Sequence, residues 1–215
     1  MRGAGHSLPC SRPDSQPLRQ HTTGFPGQAD GVGWTKARTG LGKEDCMDVF
    51  GAIGSRYSVR GYKPDPVSDE LLGRVLEAAR QAPTAANRQP FRIIVIHTKG
   101  REEDLKRVYG RPWFLQAPLV LVVVAVPGEA WRRSDDKPYD EVDATIAMDH
   151  LVLAATALGL GTCWIAAFNP TAVREVLALP ADVEPIALTP LGYPDKGRTA
   201  TGRRPLDELV RYECW

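Results

Sequence analysis

No stretch of this sequence is long and apolar enough for a bilayer. The longest apolar run, Leu119 to Val126, falls well short of the roughly 20 residues that a membrane helix needs, so no membrane partner is expected. Charge of one sign is equally scarce. The formal net charge is +1, which gives no global basic field, and no nucleic acid partner is expected. Cysteine is sparse and scattered: Cys10, Cys46, Cys163 and Cys214 form no Cys-x-x-Cys pair and have no histidine at metal-ligand spacing. Neither a metal site nor a disulfide framework is indicated, and reduced thiols in a cytoplasmic protein fit best. The four histidines contain no His-Glu-x-x-His pattern. There is no Walker-type glycine loop, no activated serine or cysteine, and no carboxylate pair in an apolar setting. These absences remove the usual nucleophilic, glycosidic and nucleotide-hydrolysing chemistries.

What is present suffices for an ordinary core. Of 215 residues, 43% are hydrophobic and 25% charged, which suits one or at most two domains. Residues 1–46 are rich in Gly, Pro, Ser, Thr, Gln and Arg without apolar periodicity, and they are expected to be disordered. They contain no apolar core of a secretory signal. Their Arg-rich, acid-poor character hints at an organelle transit peptide, and a start upstream of Met47 is the other reading. The ordered domain is expected over 47–215.

Within that domain the pattern alternates between helix and strand. A short amphipathic helix from Asp48 carries Val49, Phe50 and Ile53 on one side and ends at Gly54-Ser55. Ser68 is an N-cap for a helix to about Gln81, with Leu71, Leu72, Val75, Leu76 and Ala79 as its apolar stripe, and Pro83 stops it. The loop from Thr84 to Pro90 leads into a strand from Phe91 to His97, and Arg101 to Tyr109 reads as a surface helix. Leu119 to Val126 reads as a strand buried on both faces, and Pro127 to Tyr139 as a loop or lid. The segment Glu141 to Leu158 is apolar nearly all round and must be buried, in a core or a subunit interface; His150 on it is expected to be a hydrogen-bonded interior or interface residue. Gly159 to Thr162 is a helix-ending glycine turn and not a dinucleotide fingerprint, because it follows a helix and precedes a strand. A strand over Cys163 to Ala166, a helix capped by Asn169-Pro170, a strand over Pro185 to Leu191 and a terminal amphipathic segment, Leu206 to Tyr212, complete the chain.

The chemistry concentrates in a few places. Ser55 to Arg60 offers two guanidinium groups, Arg56 and Arg60, around the Ser58 hydroxyl where a helix gives way to extended chain. Arginine forks and a hydroxyl suit phosphate oxygens. Arg203 and Arg204 form a second basic pair, Asn87 brings a carboxamide to a sheet edge, and Ile165, Ala166 and Ala167 form a small-residue strand end. Phosphate grips without a reactive side chain suggest a cofactor that brings its own chemistry.

Several stretches carry a resemblance in a fixed order: Ser-Arg-Tyr-Ser-Val-Arg-Gly-Tyr after Met-Asp-Val-Phe-Gly-Ala-Ile, Ala-Pro-Thr-Ala-Ala-Asn-Arg-Gln-Pro-Phe, Ala-Leu-Gly-Leu-Gly-Thr-Cys-Trp-Ile-Ala-Ala-Phe, Pro-Leu-Gly-Tyr-Pro and Arg-Arg-Pro-Leu-Asp-Glu-Leu-Val. Together they resemble the FMN-dependent nitroreductase family over nearly all of 47–215. The resemblance implies an α+β fold with a small mixed β-sheet flanked by helices, and a homodimer with FMN at the subunit interface. It also implies hydride transfer from NADH or NADPH through flavin N5 to a small-molecule acceptor such as a nitroaromatic or quinone. Alternatives are a specialised flavin enzyme that dehydrogenates a metabolite or fragments its own flavin, and a non-catalytic FMN-binding module.

By that resemblance Arg56 and Ser58, with the main chain of Tyr57, look like phosphate and ribityl ligands, and Arg203 and Arg204 like the C-terminal phosphate grip. Arg60 resembles the cation at the pyrimidine edge, where a fixed positive charge favours the reduced flavin. Asn87 matches the carboxamide at the flavin edge. Ile165, Ala166 and Ala167 match the main chain that passes N5. Many relatives carry glycine where this chain has Ala167, and some carry glutamate at the position of Ala166, a departure that bears on substrate choice more than on cofactor binding. No side chain is expected to be catalytic.

Overall fold

A computed structural model describes residues 47–197 and 202–215. The expectation for residues 1–46 lies outside the described residues. The two described stretches fall in different compact units, and each is described by itself.

The larger unit is organised around β2 (Leu119–Ala125), whose seven residues are all buried. Its side chains alternate between two cores, as the pleat requires. Leu119, Leu121, Val123 and Ala125 face one cluster, and Val120, Val122 and Val124 face the other. Each fully buried Val or Leu contributes about 1.5 to 3 kcal/mol of transfer free energy, so this strand anchors both sides of the sheet.

Four strands pair in the order β1-β2-β4-β3. They are β1 (Phe91–His97), β2, β3 (Gly161–Thr162) and β4 (Glu184–Gly192), all antiparallel. The parallel component of the mixed sheet expected from the sequence is one bridge, Ser58 to Thr162. One face of the sheet packs on α2 (Asp69–Arg80) and α4 (Asp140–Ala157), which supply Val75, Ala79, Ala144, Met148, Leu151 and Ala155. The other face packs on α3 (Glu102–Val108) and α5 (Pro170–Leu177), through Leu105, Val108, Ala172 and Val173.

The helix boundaries follow from their caps. In α1 (Val49–Ser55) the Asp48 carboxylate accepts the Gly51 N–H at 2.6 Å. Ser68 accepts the Leu71 N–H at 3.3 Å at the start of α2, and Asn169 accepts the Ala172 N–H at 3.1 Å at the start of α5. At the end of α4, Gly159 has φ +73, the Leu160 N–H reaches the Ala155 carbonyl at 2.8 Å and the Gly159 N–H reaches Thr156 at 3.0 Å. Glycine takes this left-handed position without a Cβ penalty.

One expectation needs correction. The strand expected over Cys163 to Ala166 stands earlier, at Gly161–Thr162, and only Ile165 rejoins the sheet through a bridge to Leu188. The register is unbroken, but the position facing Cys163 is Pro190, which has no N–H to give. The Cys163 carbonyl thus receives no ladder bond from that position, and the Cys163 N–H bonds the Thr189 hydroxyl at 3.0 Å, which donates to the Pro190 carbonyl at 2.9 Å. The His150 side chain is half-buried and has no hydrogen-bond partner among the described residues.

In the shorter unit the expected amphipathic segment forms a single helical turn, α6 (Leu206–Leu209). Leu206, Leu209, Tyr212 and Trp215 are exposed.

Candidate functional site

The turn after α1 lies against the short β3 edge. Arg56 caps α1, its N–H bonding the Ala52 carbonyl at 3.0 Å. A cation here meets the negative end of the helix dipole. Ser58 then runs parallel to Thr162, and the Val59 N–H bonds the Thr162 carbonyl at 2.9 Å. The approach is close enough that a Cβ on Gly161 would meet Val59 Cγ2 at 2.7 Å, so glycine is required for steric reasons. Buried Val59 and Tyr62 hold the turn down, and the Tyr62 hydroxyl donates to the Val59 carbonyl at 3.0 Å. Tyr57 is tied by its hydroxyl to the Lys196 carbonyl at 2.7 Å.

Cys163 records what surrounds it. Burial pushes its thiol pKa up, opposed by the Arg60 guanidinium, a hydrogen bond from Ser58 and the Arg56 guanidinium. The structure therefore brings Arg56, Ser58 and Arg60 together with the Thr162 to Ile165 edge. Cys163 is a buried thiol, 4% exposed. Tyr62 is likewise held in its neutral form, chiefly by burial, with Cys163 and Tyr57 adding and Arg60 opposing.

Neither Arg56 nor Arg60 has a carboxylate partner among the described residues, whereas Arg80, Arg92, Arg107, Arg133 and Arg174 each do. Unpaired guanidinium groups beside a hydroxyl suit an anionic ligand. Asn87 stands apart, with no hydrogen bond to the Arg56–Arg60 turn or to Ile165–Ala167 among the described residues. Its loop is bent sharply: Ala86, Asn87 and Gln89 have φ of 51, 53 and 53. The left-handed region is uncommon for side-chain-bearing residues, and Ala86 has no polar side chain to favour it. Arg203 donates to the Gly202 carbonyl at 3.2 Å, and Arg204 pairs with Glu208 at 3.2 Å within the shorter unit.

Ala166 and Ala167 are exposed at the strand end. Ala167 opens onto a cleft of ≈ 480 Å³ whose opposite wall is Arg107 to Arg111, and the two walls are tied by the Asn169 N–H to the Val108 carbonyl at 2.9 Å. The sequence reading passed over this wall as the end of a surface helix. It also found no carboxylate pair in an apolar setting, yet Asp140 and Asp143 are 7% and 1% exposed on α4. Acidic residues in a first helical turn read as dipole partners, which hides their burial. No group of metal-binding side chains occurs among the described residues, and no helix there is long and apolar enough to cross a membrane.

A model of the nitroreductase family matches residues 53–109 and 101–193, and the chain belongs to that family. A protein from Thermus thermophilus named NADH dehydrogenase is 30% identical over 195 residues, covering 76% of this chain and 95% of the relative. The crystal structure of a nitroreductase family protein from Clostridium difficile superposes with a TM-score of 0.71 at 38% identity, covering 76% of this chain and 97% of that one. A protein from Desulfovibrio desulfuricans solved in complex with FMN gives a TM-score of 0.67 at 29% identity, with 78% and 97% covered. The chain is an oxidoreductase of this family, with the α+β architecture its sequence implied.

Proposed function

We propose that this chain is an FMN-dependent oxidoreductase that passes hydride from NADH or NADPH to a small organic acceptor, a nitroaromatic or a quinone, and that it works as a homodimer in the cytoplasm. One observation carries the reading: two guanidinium groups with no carboxylate partner among the described residues and a serine hydroxyl stand against a strand end that bears no exposed nucleophile, ionised carboxylate or metal ligand. Such a site can hold a charged cofactor and leaves the chemistry to it. When bound, FMN supplies the reversible hydride transfer that these side chains cannot perform.

The residues fit that group. Arg56 and Ser58 would hold the phosphate end with the main chain of Tyr57; Arg203 is the C-terminal candidate for a phosphate grip, and Arg204, paired with Glu208 at 3.2 Å, would have to leave that pair to join it. Arg60 would bring a positive charge to the ring, which favours its negative reduced form. Asn87 offers a carboxamide whose oxygen already accepts from Gln89 Nε2 at 3.3 Å, which leaves its NH2 to donate. The main chain at Ile165, Ala166 and Ala167 would border the ring, and the small, exposed Ala166 and Ala167 would leave the approach to it open.

The dimer has its own support. The apolar side of α1 is uncovered, with Val49, Phe50 and Ile53 at 58%, 81% and 54% exposure. A contiguous patch of this kind marks an interaction surface.

The decisive experiment is the visible spectrum of the purified protein followed by anaerobic titration with NADH and NADPH. The expected result is a flavin band that bleaches on titration and returns on adding a quinone. A colourless preparation that also fails to take up added FMN overturns the reading. A yellow protein that consumes no NAD(P)H with any acceptor is a binding module instead.

A further inference from the structure

Asp143 sits in the first turn of α4, 1% exposed, and its two carboxylate oxygens have different fates. Oδ1 accepts the N–H of Ala85 at 2.9 Å, across 58 residues of sequence. Oδ2 is buried and has no partner among the described residues. Asp140, one turn earlier, is also buried, so a second carboxylate adds to the cost of the first. A buried carboxylate with one oxygen unanswered is an expensive way to fill space on a helix that elsewhere uses alanine. What it does that alanine would not is hold Ala85.

Ala85 is the entry to the bent loop. The next residues, Ala86 and Asn87, have φ of 51 and 53, and the bonds that oppose their relaxation are local: Asn87 N–H to the Thr84 carbonyl at 3.0 Å, Arg88 N–H to the Ala85 carbonyl at 3.2 Å, Gln89 N–H to Thr84 Oγ1 at 3.1 Å, and Gln89 Nε2 to the Asn87 carbonyl at 3.2 Å and Oδ1 at 3.3 Å. Strained backbone persists where the surroundings fix it. The Asp143 to Ala85 bond is the one hydrogen bond, among the described residues, that ties the Ala85–Asn87 turn to a core helix.

We propose that Asp143 is a positioning residue that, through Ala85, sets the Asn87 carboxamide for the flavin. This rests on the reading of Asn87 as a cofactor contact. Asp143 does not touch the cofactor itself; it fixes the corner from which Asn87 reaches it.

The test is a double-mutant cycle read by FMN dissociation constant, by the bound flavin's absorption band and by amide exchange over residues 84–90 in cofactor-free protein. Asn87→Ala is expected to weaken FMN roughly fivefold, the loss of one ordinary hydrogen bond. Asp143→Ala should match it in affinity and band shift, and should speed exchange in the loop. The double variant should be no weaker than either single one, since both remove the same contact. Asp143→Asn, which keeps an acceptor for Ala85, should rescue all three readouts. If Asp143→Ala does not fold, Ala85→Pro removes the donor from the other side; Thr84, at φ −134 and ψ 153, already has the conformation that precedes proline. A lower melting temperature with wild-type affinity and spectrum makes Asp143 merely structural and overturns the proposal. Independent, multiplying effects overturn it too. Unchanged FMN binding in Asn87→Ala removes Asn87 from the site and overturns both readings, a result distinguishable from failure of the coupling alone.

Discussion

At Arg56 the electrostatics are simple: a guanidinium at the end of α1, without a carboxylate partner among the described residues, faces a ligand-sized anion better than it faces water. Charge-assisted hydrogen bonds contribute about 1.5 to 3 kcal/mol each, so Arg56→Ala is expected to weaken FMN at least tenfold by fluorescence titration, and Arg203→Ala likewise. Unchanged affinity in both variants removes the phosphate assignment. Asp143 makes a different prediction. Burial, with Asp140 adding and the Ala85 N–H opposing, holds its carboxyl above the usual range. Between the ordinary carboxylate value near 4 and the folded value, the native state keeps a proton that the unfolded chain has lost. Stability therefore falls as pH rises through that window. Urea unfolding from pH 4 to 8 should show Asp143→Asn gaining on the wild type as pH increases; a constant difference sinks the assignment. The arginine turn was legible because its residues are neighbours in sequence. Asp143 was not, because the partner that gives it meaning is 58 residues away.

Among the elements, α1 to α5 and the three long strands could be read almost to the residue. Their signals are local: Asp48, Ser68 and Asn169 as caps, Pro83 as a stop, and the Leu/Val run of β2 as a strand with both faces covered. The short strand beside the site could not, since its limits depend on what β4 offers opposite it. Pro190 withholds a donor, and Thr189 supplies a side-chain oxygen in place of a carbonyl. Thr189 is fully buried, so Thr189→Val keeps the shape and strands the Cys163 N–H. The expected cost is about 1 to 3 kcal/mol, measured as a lower urea midpoint. A midpoint equal to the wild type shows that the ladder closes without the hydroxyl. The mixed sheet was likewise legible only in outline, because its parallel element is one bridge at Ser58 and not a strand of its own.

For the whole molecule, the unburied side of α1 is the feature that a single subunit leaves unexplained. Phe50 is 81% exposed, and Phe50→Glu should shift sedimentation from dimer to monomer at micromolar concentration while leaving far-UV dichroism intact. A monomeric wild type removes the interface outright. The sequence carried this in plain form, as three apolar residues on one side of a short helix, but amphipathicity does not say whether the core or a second subunit covers them. The central strand has a consequence of a different kind. Leu119 to Ala125 is a run of β-forming, uncharged side chains with proline on either side, at Pro118 and Pro127. Folded, it is sealed between two neighbours and two layers of helices. On a ribosome or in a heat-stressed cell it is an amyloid-competent segment, guarded only by those two prolines. Variants that loosen the sheet should thus be lost from cells by precipitation before their active site fails.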